Sequence, residues 1–171
     1  RGSGKTTLFV EYFAPYCAIY REIPGLKEIF GMMYVSDSME NGVMSARKNL
    51  EFRYENSPFL QHWLPKVNFT NKEIYYVNRD NQKFGLKMFG IKTGFRGSKI
   101  FGKRPNIAVL DDLISTEDAR SPTELKAITD GVYTGVLPAL DPKNRKVILN
   151  GTPFNKEDIV IKAIESGEWS T

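Results

Sequence analysis

An α/β domain built on a mainly parallel sheet is the fold this sequence predicts, and three observations carry it. Short apolar runs at residues 29–36, 106–110 and 146–149 end in small polar or acidic residues, as buried parallel strands do. Stretches with helical spacing separate them. A Gly-Lys-Thr turn opens the chain directly ahead of the first of those helices.

Each element has a local reason. Leu8, Phe9, Tyr12, Phe13, Tyr16 and Ile19 recur at helical spacing, so residues 4–20 read as a helix, with Pro15 as a possible kink. Residues 29–36 form a strand ending at Asp37. Residues 38–54 form a helix capped by Ser38 or Asp37 and stopped by Asn56-Ser57-Pro58. Residues 67–70, 73–77 and 84–91 are strand-like, the first two joined by a hairpin-like break at Asn71-Lys72. A segment punctuated by Gly90, Gly94, Gly97 and Gly102 leads to strand 106–110, which ends in Asp111-Asp112. Ser121-Pro122 opens a helix to about Val136. Strand 146–149 runs into Asn150-Gly151-Thr152-Pro153, and Asn155 is expected to cap a last helix reaching Ser166. No repeat, linker or domain break interrupts the series.

Composition excludes several classes. The 171 residues hold one cysteine, Cys17, and one histidine, His62, which leaves no intrachain disulfide and no Cys- or His-rich metal centre. No apolar run approaches the roughly 18 residues of a membrane span. His62 reads as a partly buried structural residue, Cys17 as inert, and the methionines as core filler. Tyr75 and Tyr76 read as strand packing rather than base-stacking rings. The net charge is +4, from 24 Lys+Arg and 20 Asp+Glu. Lys92, Arg96, Lys99, Lys103 and Arg104 fall together with no acid between them, so the remaining 19 cations balance the 20 acids. This loop-like basic segment is expected to contact nucleotide, a neighbouring subunit or DNA close to the candidate site; a plain solvated loop is the alternative.

The chemistry-bearing runs lie at strand and helix ends. Arg1-Gly2-Ser3-Gly4-Lys5-Thr6-Thr7 ends as a phosphate-binding loop ends. Its glycines allow backbone N–H groups to curl around phosphates, Lys5 neutralises them, and Thr6 offers a hydroxyl to Mg²⁺. Ile107-Ala108-Val109-Leu110-Asp111-Asp112 reads as a strand delivering one acid to the metal shell, Asp111, and one to activate water, Asp112. Paired carboxylates also occur as plain strand caps. Thr152 would stand at the same sheet edge and sense a γ-phosphate, although a simple Gly-Thr-Pro turn has the same sequence. Arg1 would stabilise transition-state charge, unless it is only an exposed terminal residue.

Together, Gly94-Phe95-Arg96-Gly97, the run Gly102 to Asp112, the arginine-bearing phosphate loop and the later Gly-Thr-Pro element resemble the terminase large subunit of tailed bacteriophages. The resemblance covers nearly the whole chain. It implies an ASCE-type P-loop NTPase fold and an ATPase that drives viral double-stranded DNA into a procapsid. ATP and Mg²⁺ are the implied cofactors. Carried over, Gly2, Ser3, Gly4, Lys5, Thr6 and Thr7 cradle the phosphates, Thr6 and Asp111 hold the metal, and Arg1 is the phosphate-loop arginine. Asp112 takes the catalytic position, and Thr152 couples hydrolysis to movement. The family's catalytic acid is often Glu, which leaves Glu117 as an alternative to Asp112. Implied partners are double-stranded DNA, the portal and procapsid, the small terminase subunit and sister copies in a ring, with no membrane. The implied location is the host cytoplasm at the procapsid portal. Because the chain opens at Arg1 inside the motif, residues 1–171 are expected to be a motor-domain fragment that begins within the Walker A loop, with the nuclease domain elsewhere. A helicase-like DNA translocase, or a P-loop module without catalysis, are the alternatives.

Overall fold

The computed structural model describes residues 4–95 and 97–170. The sequence expectations on Arg1, Gly2, Ser3 and Arg96 lie outside the described residues.

A six-stranded sheet runs in the order β2-β3-β4-β1-β5-β6. Its strands are β1 (Gly31–Ser36), β2 (Lys66–Phe69), β3 (Glu73–Val77), β4 (Lys83–Gly90), β5 (Ile107–Asp111) and β6 (Lys146–Asn150). β4-β1-β5-β6 pair in parallel, while β3 is antiparallel to both neighbours. Hence β3 alone runs against the common direction, and the expectation of a mainly parallel sheet holds.

Helices cover both faces. A wide-pitched turn, Thr7–Tyr12, continues into α1 (Phe13–Tyr20), and a second, Met39–Val43, continues into α2 (Met44–Glu55). Val10, Ala14, Cys17, Val43, Ala46 and Leu50 pack there against Met32, Tyr34, Leu86 and Val109. On the other face, α4 (Pro122–Asp130), a turn at Gly131–Val136, α5 (Leu137–Ala139) and α6 (Ile159–Ser166) cover the sheet. Leu125, Ile128, Val132 and Ile159 meet Met33, Val35, Ala108 and Leu110. β1 and β5, buried on both sides, therefore read as unbroken apolar runs.

Pro15 is buried inside α1 and does not end it. The wide turn just upstream already departs from regular α bonding, which is where a missing N–H does least harm. Three expectations are corrected. Ser57-Pro58 stops α2 but also opens a short helix, α3 (Pro58–Trp63), because Ser57 accepts from the Leu60 N–H while proline fits the first helical position. The last helix is capped by Asp158, whose carboxylate accepts from the Val160 N–H; Asn155 instead closes a turn onto the Glu157 N–H. His62 is exposed, edge-on to Trp63 and in contact with Arg79. It lies on α3, which buries no residue.

Candidate functional site

Parallel strands deliver their carboxyl ends to one edge, so β1, β5 and β6 bring Ser36-Asp37, Asp111-Asp112 and Asn150-Gly151-Thr152 together. The turn of Gly4 with Lys5 and Thr6 faces them. Gly4 has φ +67, a conformation glycine adopts without strain, and its carbonyl accepts from the Leu8 N–H as the helix starts. The result is a cleft of about 610 Å³, within the usual range for small-molecule sites.

Asp111 is the centre of its bonding. The Thr6 hydroxyl donates to Oδ2 at 2.7 Å, the Tyr34 hydroxyl donates to the same oxygen at 3.3 Å, and the Asn150 amide donates to Oδ1. Asp111 is 2% exposed and forms no ion pair among the described residues. Burial raises its pKa above the usual carboxylate range, against the Thr6 and Asn150 hydrogen bonds and with help from the neighbouring Asp112 charge. Burial, then the Asp111 charge, likewise pushes the Tyr34 phenol up. A buried carboxylate with a hydroxyl against it and no cation is a hard-oxygen donor pair that suits Mg²⁺.

Lys5 reaches across the cleft, donating to the Gly151 carbonyl at 3.1 Å and to Thr152 Oγ1 at 3.3 Å. Asp112 is exposed, lines the cleft and has φ +44. Its N–H donates to the Asn150 carbonyl at 3.0 Å, which fixes that conformation at the strand end. A non-glycine residue held there marks a position where geometry outranks comfort.

Gly4, Lys5, Thr6, Thr7, Asp111, Asp112 and Thr152 thus share one cleft. Asp37, Asp111 and Asp112 are the acids that line it; Glu117 is not among them, so of Asp112 and Glu117 only Asp112 faces the cleft. Sequence reasoning missed Tyr34, Asn150 and Gly42. Strand alternation carries a signal for Tyr34: it shares a face with Met32 and pairs in register with Val109 of β5, two residues before Asp111. A Cβ on Gly42 would sit 2.0 Å from Ser36 Oγ and 2.8 Å from Asp37 Oδ1, so only glycine lets the helical turn close the cleft wall.

The basic segment behaves differently from expectation. Lys92 stays at this edge but is bound to Asp118 and Glu124, both at 2.8 Å, which hold its ammonium well above the usual lysine range. The chain then crosses the sheet. β4 and β5 are both parallel to β1, so the connection must travel from the carboxyl edge to the amino edge. Phe95 and Ile100 are buried along that path, and Lys99, Lys103 and Arg104 emerge, exposed, on the far edge. They do not adjoin the cleft.

Fold and cleft together define a mixed α/β protein with an oxygen-rich, lysine-bearing pocket at the carboxyl edge of its sheet. No protein-family model and no curated protein matches the chain. A solved structure described as "The Phi-28 gp11 DNA packaging Motor" overlaps it with a TM-score of 0.41 and 12% identity, over 100% of this chain and 49% of that one. The chain thus spans about half that protein's length. Among the described residues no cluster of three or more His, Cys, Asp or Glu converges on a metal site, and no helix is long and apolar enough to cross a membrane.

Proposed function

We propose that the chain is an ATP-hydrolysing motor domain of the terminase large-subunit kind, driving double-stranded DNA into a procapsid. The observation that carries the ATP reading is the Thr6–Asp111 hydrogen bond, which joins the candidate phosphate loop to the candidate metal acid across 105 positions of chain. Lys5 on Thr152 supports it by adding the third motif to the same cleft.

In this reading Gly4, Lys5, Thr6 and Thr7, with Gly2 and Ser3 ahead of them, take the triphosphate. The N–H groups opening the helix and the Lys5 ammonium face its negative charge. Thr6 and Asp111 would hold Mg²⁺, which when bound supplies charge neutralisation on the phosphate oxygens. Asp112 accepts a hydrogen bond from a water and orients it in line with the γ-phosphorus. The water oxygen bonds phosphorus, the bond to the β–γ bridging oxygen breaks, ADP leaves with that electron pair, and Asp112 takes the water's proton. The resemblance assigns Arg1 the role of stabilising the developing charge. Because Lys5 touches Thr152 directly, loss of phosphate is felt at the end of β6, from which the chain passes through the 151–158 loop into α6. Portal, procapsid, small terminase subunit and a ring of sister copies are the partners of this proposal, at the procapsid portal in the host cytoplasm.

Steady-state ATP turnover of the full-length protein tests it. Lys5→Ala and Asp112→Asn should each lower turnover by about 10²-fold or more. Wild-type turnover in both variants would end the assignment.

A further inference from the structure

The edge of the sheet opposite the cleft carries a second surface. Lys66 pairs with Val77, and Val77 pairs with Lys83, which puts both lysines on one row at the amino edge of the common strand direction. Arg104 and Lys143 lie in the loops that lead into β5 and β6 at this edge, where the Asp141 N–H donates to the Pro105 carbonyl at 3.0 Å. Lys99 and Lys103 come to this edge through the crossing segment. All six are exposed, and none forms an ion pair among the described residues. The acids nearby are few. Asp141 accepts from the Lys143 and Asn144 N–H groups and lies near Arg104, Glu22 and Glu28 lie in the loop between α1 and β1, and Asp80 lies in the turn between β3 and β4. The carboxyl edge, by contrast, gathers Asp37, Asp111, Asp112 and Asp118.

Two details give this edge shape. Lys99 and Arg104 flank a cleft of about 390 Å³ with Gly97, Ser98 and Thr134 on its walls. Beside it, Ile100 and Lys103 exchange backbone hydrogen bonds of 2.9 and 3.0 Å around Phe101-Gly102. Both turn residues have positive φ, 50 and 79, and Phe101 is 45% exposed. A bulky residue in that conformation is strained, and its ring is held against Tyr75 at 5.4 Å between centroids.

We infer that this amino edge is a docking surface for the phosphate backbone of duplex nucleic acid, separate from the nucleotide cleft. The spread of the cations decides the partner. They extend over five inter-strand spacings, about 24 Å, the axial length of about seven base pairs. A protein interface needs an apolar, aromatic centre and is depleted in lysine. This edge is lysine-rich: among the described residues of the crossing segment Phe101 is the one exposed large apolar side chain, Lys103 covers the Phe30 ring at 5.6 Å, and the exposed rings of Phe59 and Trp63 on α3 lie at its β2 end. The cations engage backbone phosphates and read no sequence.

The surface goes beyond the nucleotide reading and needs no nucleotide, so its test is independent. Fluorescence anisotropy of a labelled 30-base-pair duplex is followed with the full-length protein between about 50 and 200 mM salt, without ATP. The variant Lys83→Gln/Lys103→Gln/Arg104→Gln/Lys143→Gln should bind about 100-fold more weakly and lose about 3.6 units of log–log salt slope. An equal charge change elsewhere, Lys48→Gln/Lys72→Gln/Lys126→Gln/Lys156→Gln, should stay within about threefold of wild type. All eight positions are exposed, and matching thermal melts show that both variants fold. Equal losses in the two variants, or none in the first, overturn the proposal. So does a wild type that binds vesicles of one-third phosphatidylserine as tightly as DNA and loses that binding in the first variant. Failure of the ATP reading appears in turnover, not in this titration.

Discussion

Asp111 shows how one residue trades stability for a task. Its folded pKa is raised, so the native state holds a proton more tightly than the unfolded chain does. Stability therefore falls as pH rises from the ordinary carboxylate range, near 3.9, through the raised folded value. In nucleotide-free protein, Asp111→Asn should melt higher than wild type at pH 7, and the gap should close as pH falls toward about 3.5. Its ATP turnover should nevertheless drop by about 10²-fold or more. A lower melting temperature at neutral pH would show that the Thr6, Tyr34 and Asn150 hydrogen bonds matter more than the desolvated charge. Asp112 makes the converse case. Asparagine tolerates its positive φ, so Asp112→Asn should leave the melting temperature within about 2 °C, a shift of under about 0.5 kcal/mol, while turnover collapses. The acids, Lys5 and Thr152 were legible in the sequence because each sits beside a strand or helix end that the apolar pattern marks. Tyr34 and Asn150 were not. They act through a register across β1, β5 and β6 that no single segment encodes.

Among the elements, the β4–β5 crossing is the least regular and the most constrained. A Cβ on Gly85 would stand 2.5 Å from Ile100 Cγ2, and one on Gly31 would stand 2.9 Å from Ile100 Cδ1. The two glycines, paired in register, make the groove that Ile100 fills. Gly85→Ala should destabilise by about 1–3 kcal/mol through overpacking, and Ile100→Ala by about 2–4 kcal/mol through a cavity. The double variant should cost less than the two together, because the added methyl occupies space the isoleucine leaves. Strict additivity in urea denaturation would separate the two sites. The sequence marked this segment only as glycine-rich and basic. Its role as a strap is invisible there, since what pins it lies on β1 and β4. On the opposite face, Arg53 and Asn49 of α2 both bond Glu11, which is 4% exposed. Arg53→Met leaves that carboxylate without its cation and should cost about 3 kcal/mol, read as a shift in the urea midpoint.

At the scale of the whole molecule, direction organises charge. Parallel strands send their carboxyl ends, with Asp37, Asp111 and Asp112, to one edge and their basic lead-in loops to the other. The sequence placed the positive excess in one stretch beside the nucleotide site. The fold divides that stretch, holding Lys92 in ion pairs at the cleft and adding Lys99, Lys103 and Arg104 to cations from distant loops. Linear counting could not see this, because Lys66, Lys83 and Lys143 lie far apart in sequence and only the fold brings them to one edge. The alternation of strands and helices was legible at this scale from apolar runs and caps; the antiparallel β2-β3 pair was legible as short runs with a tight break, while the antiparallel pairing of β3 with β4 was not. The proposed pairing of the Thr6 hydroxyl with the Asp111 carboxylate in one metal-dependent nucleotide site is tested by Mg²⁺-dependent binding of ATP to the full-length protein. Thr6→Ala and Asp111→Asn should each remove the Mg²⁺ dependence of ATP affinity, and the double variant should be no weaker than either. Retention of wild-type Mg²⁺ dependence in both single variants would contradict the account.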